Sequence, residues 1–320
     1  MKTSPVTPAD LAGVFAVPPL ARGRGGELNA EQNGRIIQHI VSGGVTRLIY
    51  GGNAFIYHVT SPEYEELAGW MAAADDDVWM IPSIGPSYGR AIDHARVLRR
   101  HAFPAAMLLP CGDPRDAAGL ERGVRAIADV LGRPVVLYLK EETTFGARLS
   151  DGIEAIARLV EDGACVAIKY AVVRPDPSVD AYLEALLTRV DRRHVVSGIG
   201  ERPAVVHMQQ WQLPGFTTGS GCIAPRLSVQ LFESCVRGDI PFATAIRDRF
   251  LRLEDVRDAE GPARVLHAAV EAAGLARVGP IPPFVSDVSA EVVASLEPIA
   301  QALLADNAET TTTAVRSAEL

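Results

Sequence analysis

Lysine is rare in this chain, and one lysine stands where an amine could do chemistry. Of the 31 basic residues only three are lysine (Lys2, Lys140 and Lys169), and the rest are arginine. Arginine cannot replace lysine where a reaction needs an amine that loses its proton. Lys169 ends the apolar run Cys165–Lys169, where burial would desolvate the amine and favour its neutral form. A neutral amine attacks a ketone to form a Schiff base. The alternative is a lysine that extends to solvent or pairs with a carboxylate.

A tyrosine precedes this lysine by 31 residues, near the end of another apolar run. Tyr138 lies in Val135–Leu139, and a phenol beside a Schiff-base lysine can relay protons as a general acid and base. Taken alone, an ordinary buried aromatic is the better interpretation of Tyr138. Lys140 has the same strand parity and could hold a substrate carboxylate, but a place on the following loop is favoured.

The elements that must position these residues alternate short apolar runs with longer amphipathic stretches. Eight runs indicate strands buried on both faces, because their apolar residues are continuous rather than alternating. The predicted strands are Gly13–Val17, Arg47–Gly51, Trp79–Ile84, Ala105–Leu109, Val135–Leu139, Cys165–Lys169, His194–Gly198 and Phe216–Thr218. Eight strand–helix units predict an α/β fold, the (β/α)8 TIM barrel, whose usual length is about 250 residues. An open doubly wound sheet is the alternative, but no complete dinucleotide-binding glycine motif supports it.

Glycines mark three other predicted strand ends. Gly51-Gly52, Gly198-Ile-Gly200 and Gly219-Ser-Gly221 allow close approach of the backbone, whose N–H groups can hold an anion. Barrels often bind phosphate after strands seven and eight. A phosphorylated substrate is therefore one hypothesis, and plain turns are the other. The isolated histidines His58 and His207 have no sequence neighbour that would orient them for catalysis.

The pattern changes after the eighth unit. Three helices without intervening strands are predicted at Ile240–Leu253, Pro262–Ala273 and Ala290–Leu304. We therefore expect a barrel that carries the active site over residues 1–225 and a C-terminal helical region over residues 226–305. A disordered tail is expected over residues 306–320, which include four consecutive threonines.

Charge, hydropathy and cysteine spacing argue against several classes of function. Lys and Arg number 31 against 39 Asp and Glu, and the net charge of −8 argues against a nucleic-acid partner. No apolar run approaches the ~18 residues of a membrane span, and the first ten residues lack the apolar stretch of a secretory signal. The four cysteines lie far apart, so we expect reduced thiols in a cytoplasmic protein and no bound metal. They are Cys111, Cys165, Cys222 and Cys235.

These residues together resemble the dihydrodipicolinate synthase and N-acetylneuraminate lyase family of class I aldolases. The similarity runs from Gly13 to about Pro298 and is strongest at Val135-Val-Leu-Tyr138 and Val166-Ala-Ile-Lys169. The resemblance implies a Schiff base at the lysine and a proton relay through the tyrosine. It also implies a homodimer or a homotetramer.

Weaker parts of the resemblance suggest how substrate is held. The position of the family's Thr-Thr-Gly-Glu motif, which binds the carboxylate of a 2-oxo acid, aligns with Gly52-Asn53-Ala54-Phe55. The backbone of Gly51, Gly52 and Asn53 is therefore expected to bind the carboxylate. Gly198 and Thr217 match the family's seventh and eighth strand ends and are expected to line the substrate site.

Three departures limit what the family implies. The threonine of the proton relay is missing, and Asn53 could replace it as a hydrogen-bond partner but cannot pass a proton in the same way. A tyrosine pair of the lysine-biosynthetic members is replaced by Cys111-Gly112, and an arginine by Thr143. These losses disfavour dihydrodipicolinate synthesis, whereas the glycine pair after strand two is similar to sugar-acid dehydratases of the family.

We therefore expect a lyase that forms a Schiff base with a small-molecule 2-oxo acid. Aldol cleavage to pyruvate and dehydration of a deoxy sugar acid share this intermediate, and the sequence does not separate them. Neither a metal nor a cofactor is required, and no membrane partner is expected. One alternative is a barrel that kept the fold and the lysine but only binds a keto acid. A phosphate-binding barrel of another superfamily is a third hypothesis.

Overall fold

The computed structural model describes the backbone of residues 1–318 and the side chains of residues 1–310. Eight strands follow one another in chain order and close into a barrel. The strands are β1 (Gly13–Ala16), β2 (Arg47–Tyr50), β3 (Trp79–Ile84), β4 (Ala106–Leu108), β5 (Val135–Leu139), β6 (Cys165–Tyr170), β7 (Val195–Ser197) and β8 (Gly215–Thr218). Every observed boundary lies within one residue of the boundary predicted from the apolar runs.

A helix follows each strand, which confirms the (β/α)8 TIM barrel. The barrel helices are α1 (Ala30–Ser42), α2 (Ser61–Ala72), α3 (Tyr88–Arg99), α4 (Ala117–Leu131), α5 (Leu149–Glu161), α6 (Ala181–Arg189), α7 (Ala204–Gln209) and α8 (Pro225–Arg237). The predicted C-terminal extension follows as α9 (Ile240–Glu260), α10 (Pro262–Ala272) and α11 (Ala290–Ala318). Among the described helices, none combines the length and the apolar character that crossing a membrane requires.

Side-chain caps fix where several helices begin. The Asn29 carboxamide accepts a hydrogen bond from the backbone of Gln32 at the start of α1. At α2, the Thr60 hydroxyl accepts from the backbone of Glu63 while the Glu63 carboxylate accepts from the backbone of Thr60. Such contacts satisfy backbone N–H groups that have no partner within the helix.

The last helix is longer than the apolar pattern indicates. The sequence predicts an end at Leu304, whereas α11 continues through Ala318. Asn307 is 3% exposed, and its side-chain oxygen accepts a hydrogen bond of 2.8 Å from the backbone of Arg226. This tertiary contact fixes the first part of the segment predicted to be a tail. The last two residues of that segment lie outside the described residues.

Two compact parts can be distinguished by their internal contacts. One comprises Met1–Gly13, Thr60–Ile199 and Val206–Thr217, and it carries β3 to β7 with the helices between them. The other comprises Val14–Val59, Gly200–Val205 and the chain from Thr218 on. In this second part α10 packs against both α9 and α11. The predicted lysine and tyrosine both belong to the first part.

Candidate active site

Lys169 lies on β6, a strand whose six residues are all buried. Its side chain is 7% exposed. Parallel pairing sets Tyr138 of β5 directly beside Lys169, and the lysine nitrogen lies 4.1 Å from the centre of the tyrosine ring. The two residues that the sequence selects are therefore neighbours, held by strand register rather than by a flexible loop.

Tyr138 can act as a proton donor because its phenol stays neutral. Burial raises the pKa of Tyr138, and the charge of Lys140 opposes that rise only in part. The residue keeps some exposure and lies one residue before the carboxyl end of β5, the end of the strands where barrel enzymes carry their active sites. A neutral phenol beside an amine has the arrangement that proton transfer to a substrate oxygen requires.

Gly198 leaves room for the Lys169 side chain. Its backbone N–H donates to the carbonyl oxygen of Tyr170 at 2.6 Å, which holds the end of β7 against β6. A Cβ atom at this position would lie 2.9 Å from Cγ of Lys169 and 2.7 Å from the same carbonyl oxygen. Any side chain larger than hydrogen would displace the lysine. The absence of a side chain at Gly198 therefore lets the end of β7 pack closely against Lys169 and Tyr170 of β6.

The residues expected to bind the carboxylate lie just after β2. Gly51 precedes a short 3-10 helix, Gly52–Ala54, so the loop turns immediately at the carboxyl end of the strand. The Asn53 amide nitrogen donates to the carbonyl oxygen of Val17 at 2.7 Å. This bond anchors the loop to the segment that follows β1. The predicted role of Asn53 as a hydrogen-bond partner in a relay stays a prediction.

Thr217 is 2% exposed on β8, and the next residue enters a buried polar cluster. Thr218 and Ser228 donate hydrogen bonds to the same oxygen of Glu201, Ser228 at 2.9 Å. The other oxygen of Glu201 is buried without a hydrogen-bond partner among the described residues. Burial, followed by the charge of Glu254, raises the pKa of Glu201 to about 7. Sequence patterns gave no indication of this buried carboxyl group.

A second polar network joins the loops after β5 and β6. The Tyr170 hydroxyl donates to Asp180 at 2.6 Å, and Arg174 donates both to Asp180, at 2.9 Å, and to Glu142. Asp180 also accepts from the backbone N–H of Leu183 at the start of α6. The side chain of Asp180 is fully buried, so its charge depends on these donors. Because Tyr170 follows Lys169 directly, the network supports the strand end that presents the lysine.

The three lysines occupy three different environments. Lys140 is exposed, in agreement with its predicted place beyond the strand. Lys2 lies over the ring of Trp79, with 5.7 Å between its nitrogen and the ring centre. Lys169 alone is both buried and in contact with a tyrosine of the neighbouring strand. Of the lysines, it alone has the setting that Schiff-base chemistry requires.

Arg115 is a residue that sequence analysis missed. It follows β4, and its guanidinium group donates to the carbonyl oxygens of Thr144 at 3.1 Å, Asp113 at 3.3 Å and Thr143 at 3.5 Å. The resemblance places an arginine of the family at Thr143. A guanidinium from another loop therefore reaches the place where that arginine is missing. No local spacing in the sequence signals this contact, because residues 115 and 143 lie far apart along the chain.

Contacts are recorded among three of the predicted site residues, Lys169, Tyr138 and Gly198. The other four, Gly51, Gly52, Asn53 and Thr217, lie at or just after the carboxyl ends of β2 and β8. His207 is buried instead, with its ring nitrogen 2.8 Å from the hydroxyl oxygen of Ser197. Burial lowers the pKa of His207 to about 4, so it stays neutral near pH 7.

Comparison with known proteins agrees with this architecture. The model of the dihydrodipicolinate synthetase family matches residues 10–303. A 4-hydroxy-tetrahydrodipicolinate synthase from Exiguobacterium sp. (strain ATCC BAA-1283 / AT1b) is 26% identical over 285 residues, which cover 85% of this chain and 92% of the relative.

Two solved structures share the fold at low identity. Dihydrodipicolinate synthase from Oceanobacillus iheyensis is 20% identical with a TM-score of 0.79, covering 92% of this chain and 97% of that protein. YagE, a prophage protein from E. coli K12 whose structure contains pyruvate, is 18% identical with a TM-score of 0.77, covering 91% and 98%. The family match over nearly the whole chain, together with the barrel and its C-terminal helices, shows that this protein belongs to the dihydrodipicolinate synthetase family, as a divergent member.

Proposed function

We propose that this protein is a lyase that forms a Schiff base between Lys169 and the C2 carbonyl of a 2-oxo acid. The observation that carries the proposal is the buried Lys169 amine beside the Tyr138 ring, at 4.1 Å from its centre. Buried amines next to a proton-relay group are the recurrent setting of imine-forming lysines. The pyruvate bound to the fold neighbour YagE makes pyruvate the first compound to test.

The first chemical step joins the amine to the substrate. The neutral amine adds to C2, and the resulting carbinolamine loses its hydroxyl as water while Tyr138 donates the proton. The loop Gly51–Asn53 binds the C1 carboxylate through its backbone. The product is an iminium ion, which draws electrons from C3.

The iminium ion can then react in two ways. In aldol cleavage, the C3–C4 bond breaks, its electron pair forms an enamine, and the C4 hydroxyl gives its proton to the Tyr138 phenolate. In dehydration, C3 gives a proton to the Tyr138 phenolate and the C3–H electron pair forms the enamine. The enamine then expels the C4 hydroxyl, which takes a proton from Tyr138 and leaves as water, so that a conjugated imine remains. After cleavage, Tyr138 gives its proton to C3 of the enamine, which becomes the imine of pyruvate. Hydrolysis of the imine returns the amine in both cases. A deoxy sugar acid is the substrate class predicted from the glycine pair after β2.

Dihydrodipicolinate synthesis is the second candidate. It is favoured by the similarity of this chain to a 4-hydroxy-tetrahydrodipicolinate synthase, to which it is 26% identical. This reaction also begins with an imine between pyruvate and the lysine. It differs from aldol cleavage and dehydration because the imine then reacts with a second substrate, an aminoaldehyde acid. The replacement of the family's tyrosine pair by Cys111-Gly112 and of its arginine by Thr143 disfavours binding of an aminoaldehyde acid. Turnover of pyruvate with that acceptor, against pyruvate release from deoxy sugar acids, separates the two candidates.

The proposal is tested by borohydride reduction in the presence of pyruvate, followed by peptide mass spectrometry. We expect an adduct on the peptide that carries Lys169, in the wild type and in Lys140→Arg, and none in Lys169→Arg. The arginine variants keep the charge but cannot form an imine. An adduct on Lys140, or no adduct at all, would contradict the mechanism. An imine without turnover of any 2-oxo acid would favour a keto-acid-binding barrel instead.

A further inference from the structure

A cavity of about 260 Å³ opens next to Tyr138. Its walls come from β4, β5, α4, the start of α3 and the loops after β4 and β5, and they are mainly apolar. Leu108, Leu137, Val124, Ile127 and Phe145 supply most of this surface. Tyr138 lines the cavity as well, and the same residue contacts the Lys169 amine. The cavity therefore begins one side chain away from the carbon that would be attached to the lysine.

The opening depends on two positions with little or no side chain. Cys111 lines the cavity at the position where the lysine-biosynthetic members carry a tyrosine pair. On α4, Gly123 lines it too, and a Cβ there would lie 3.5 Å from the Tyr88 ring. Both positions leave volume that a larger side chain would fill. Engineered apolar cavities of about 150 Å³ bind benzene, so this one can hold a substituted ring or a branched chain.

One cation stands at the edge of the cavity. Arg115 lines it, and the hydrogen bonds of its guanidinium group go to three neutral carbonyl oxygens. Carbonyl acceptors fix the direction of the group but do not neutralise its charge. The Thr144 hydroxyl, on the loop after β5, is already bonded to the backbone of Glu141 as donor and as acceptor. Asp116 also lines the cavity, and its carboxylate accepts from the backbone N–H of Gly119 at the start of α4. A ligand in this cavity therefore meets mainly apolar walls, with the Arg115 guanidinium and this capping carboxylate at the edge.

We propose that this cavity binds the part of the substrate beyond C4, and that this part is an apolar ring or branched chain with an anionic substituent held by Arg115. The inference rests on the proposed imine at Lys169, but it names a different substrate class from the deoxy sugar acid that the glycine pair after β2 suggests. A polyhydroxylated chain would lose its bonds to water here and find few partners, which is costly for each hydroxyl. An apolar body gains from burial instead, and a charged hydrogen bond to a guanidinium group adds selectivity.

The test measures how strongly a set of 2-oxo acids is trapped on Lys169 by borohydride, as a function of concentration. The set is 2-oxobutanoate, 2-oxo-4-phenylbutanoate, 4-(4-carboxyphenyl)-2-oxobutanoate and 2-keto-3-deoxygluconate. We expect the phenyl ring to lower the half-saturating concentration at least tenfold relative to 2-oxobutanoate. The added carboxylate should lower it about tenfold more, as one charged hydrogen bond would.

Two variants test which residue causes each increase in affinity. For each variant, the half-saturating concentrations of two compounds are compared as a ratio. Arg115→Met should remove the gain from the carboxylate and keep the gain from the ring. Gly123→Leu fills the cavity and should remove the gain from the ring. Arg148→Met is the matched control: Arg148 is exposed, pairs with Asp151 and lies outside this cavity, so both gains should persist.

The possible failures are distinguishable. If pyruvate itself leaves no adduct on Lys169, the proposed function fails and this inference fails with it. If pyruvate is trapped but the ring and the carboxylate give no gain, or 2-keto-3-deoxygluconate is trapped more tightly than the phenyl compound, the proposed function stands and the cavity inference alone is wrong. If the added carboxylate still lowers the half-saturating concentration in Arg115→Met, the proposed role of Arg115 is wrong.

Discussion

The side-chain nitrogen of Lys169 lies 4.1 Å from the centre of the Tyr138 ring, across one step of β5–β6 pairing. The pairing aligns the two residues in register, so their separation is set by the backbone of the barrel. A change in the phenol can therefore be made without moving the amine. The contribution of the phenol and that of the amine can therefore be tested separately by single substitutions.

Removal of the Tyr138 hydroxyl should slow catalysis without preventing imine formation. Tyr138→Phe keeps the ring under the Lys169 amine but removes the proton donor. We expect kcat to fall by about 10²- to 10⁴-fold, the usual contribution of a general acid or base, with the borohydride adduct still formed at long reaction times. An unchanged kcat in steady-state assays on the best substrate would remove Tyr138 from the mechanism.

Addition of one methyl group at Gly198 should disturb the lysine. A Cβ there would lie 2.9 Å from Cγ of Lys169, so Gly198→Ala should slow trapping of pyruvate and cost about 1–3 kcal/mol of unfolding free energy, as overpacking does. Gly69→Ala is the control, because a Cβ at Gly69 meets no atom within 4 Å. The idea fails if both variants trap pyruvate at the wild-type rate.

The network after β6 should contribute measurably to stability. Arg174→Met leaves the fully buried Asp180 carboxylate with fewer donors, and we expect the free energy of unfolding to fall by about 2 kcal/mol. Arg189→Met is the comparison, since Arg189 pairs with Glu154 on the surface and exposed pairs contribute little. Urea unfolding of both variants measures the difference. Equal losses in the two variants would refute the role of burial.

Glu201 should make stability depend on pH. Its pKa is raised from 4.5 to about 7 in the folded chain, first by burial and then by Glu254. Between these values the folded state keeps a proton that the unfolded state has lost, so stability falls as the pH rises through this window. Glu201→Gln removes the effect, and the unfolding free energy of wild type minus variant should decrease from pH 4.5 to 7 by on the order of 1 kcal/mol or more. The exposed Glu66→Gln should give a difference that does not change with pH in this way; a flat profile for Glu201→Gln as well would contradict the raised pKa.

Local patterns were sufficient to predict the barrel and to place Lys169 and Tyr138 on neighbouring strands. Continuous apolar runs mark strands buried on both faces, and the scarcity of lysine drew attention to Lys169. Contacts that depend on how distant loops meet were not predictable. Arg115 reaches the backbone of Thr143 across two loops, and the buried Glu201 depends on donors from β8 and α8. The end of α11 was also missed, because Asn307 is fixed by a tertiary contact rather than by apolar periodicity.

The three lysines lie in environments that differ enough for their NMR signals to be told apart after labelling. Reductive dimethylation with ¹³C-formaldehyde would label Lys2, Lys140 and Lys169 together with the N-terminal amine, because arginine does not react. Lys2 lies over Trp79 and Lys169 over Tyr138, so ring currents should displace both signals from that of the exposed Lys140. A 2-oxo acid that occupies Lys169 protects it from methylation. Loss of the Lys169 signal, while the Lys2 and Lys140 signals remain, would then report occupancy of the proposed site for any candidate substrate, without an activity assay.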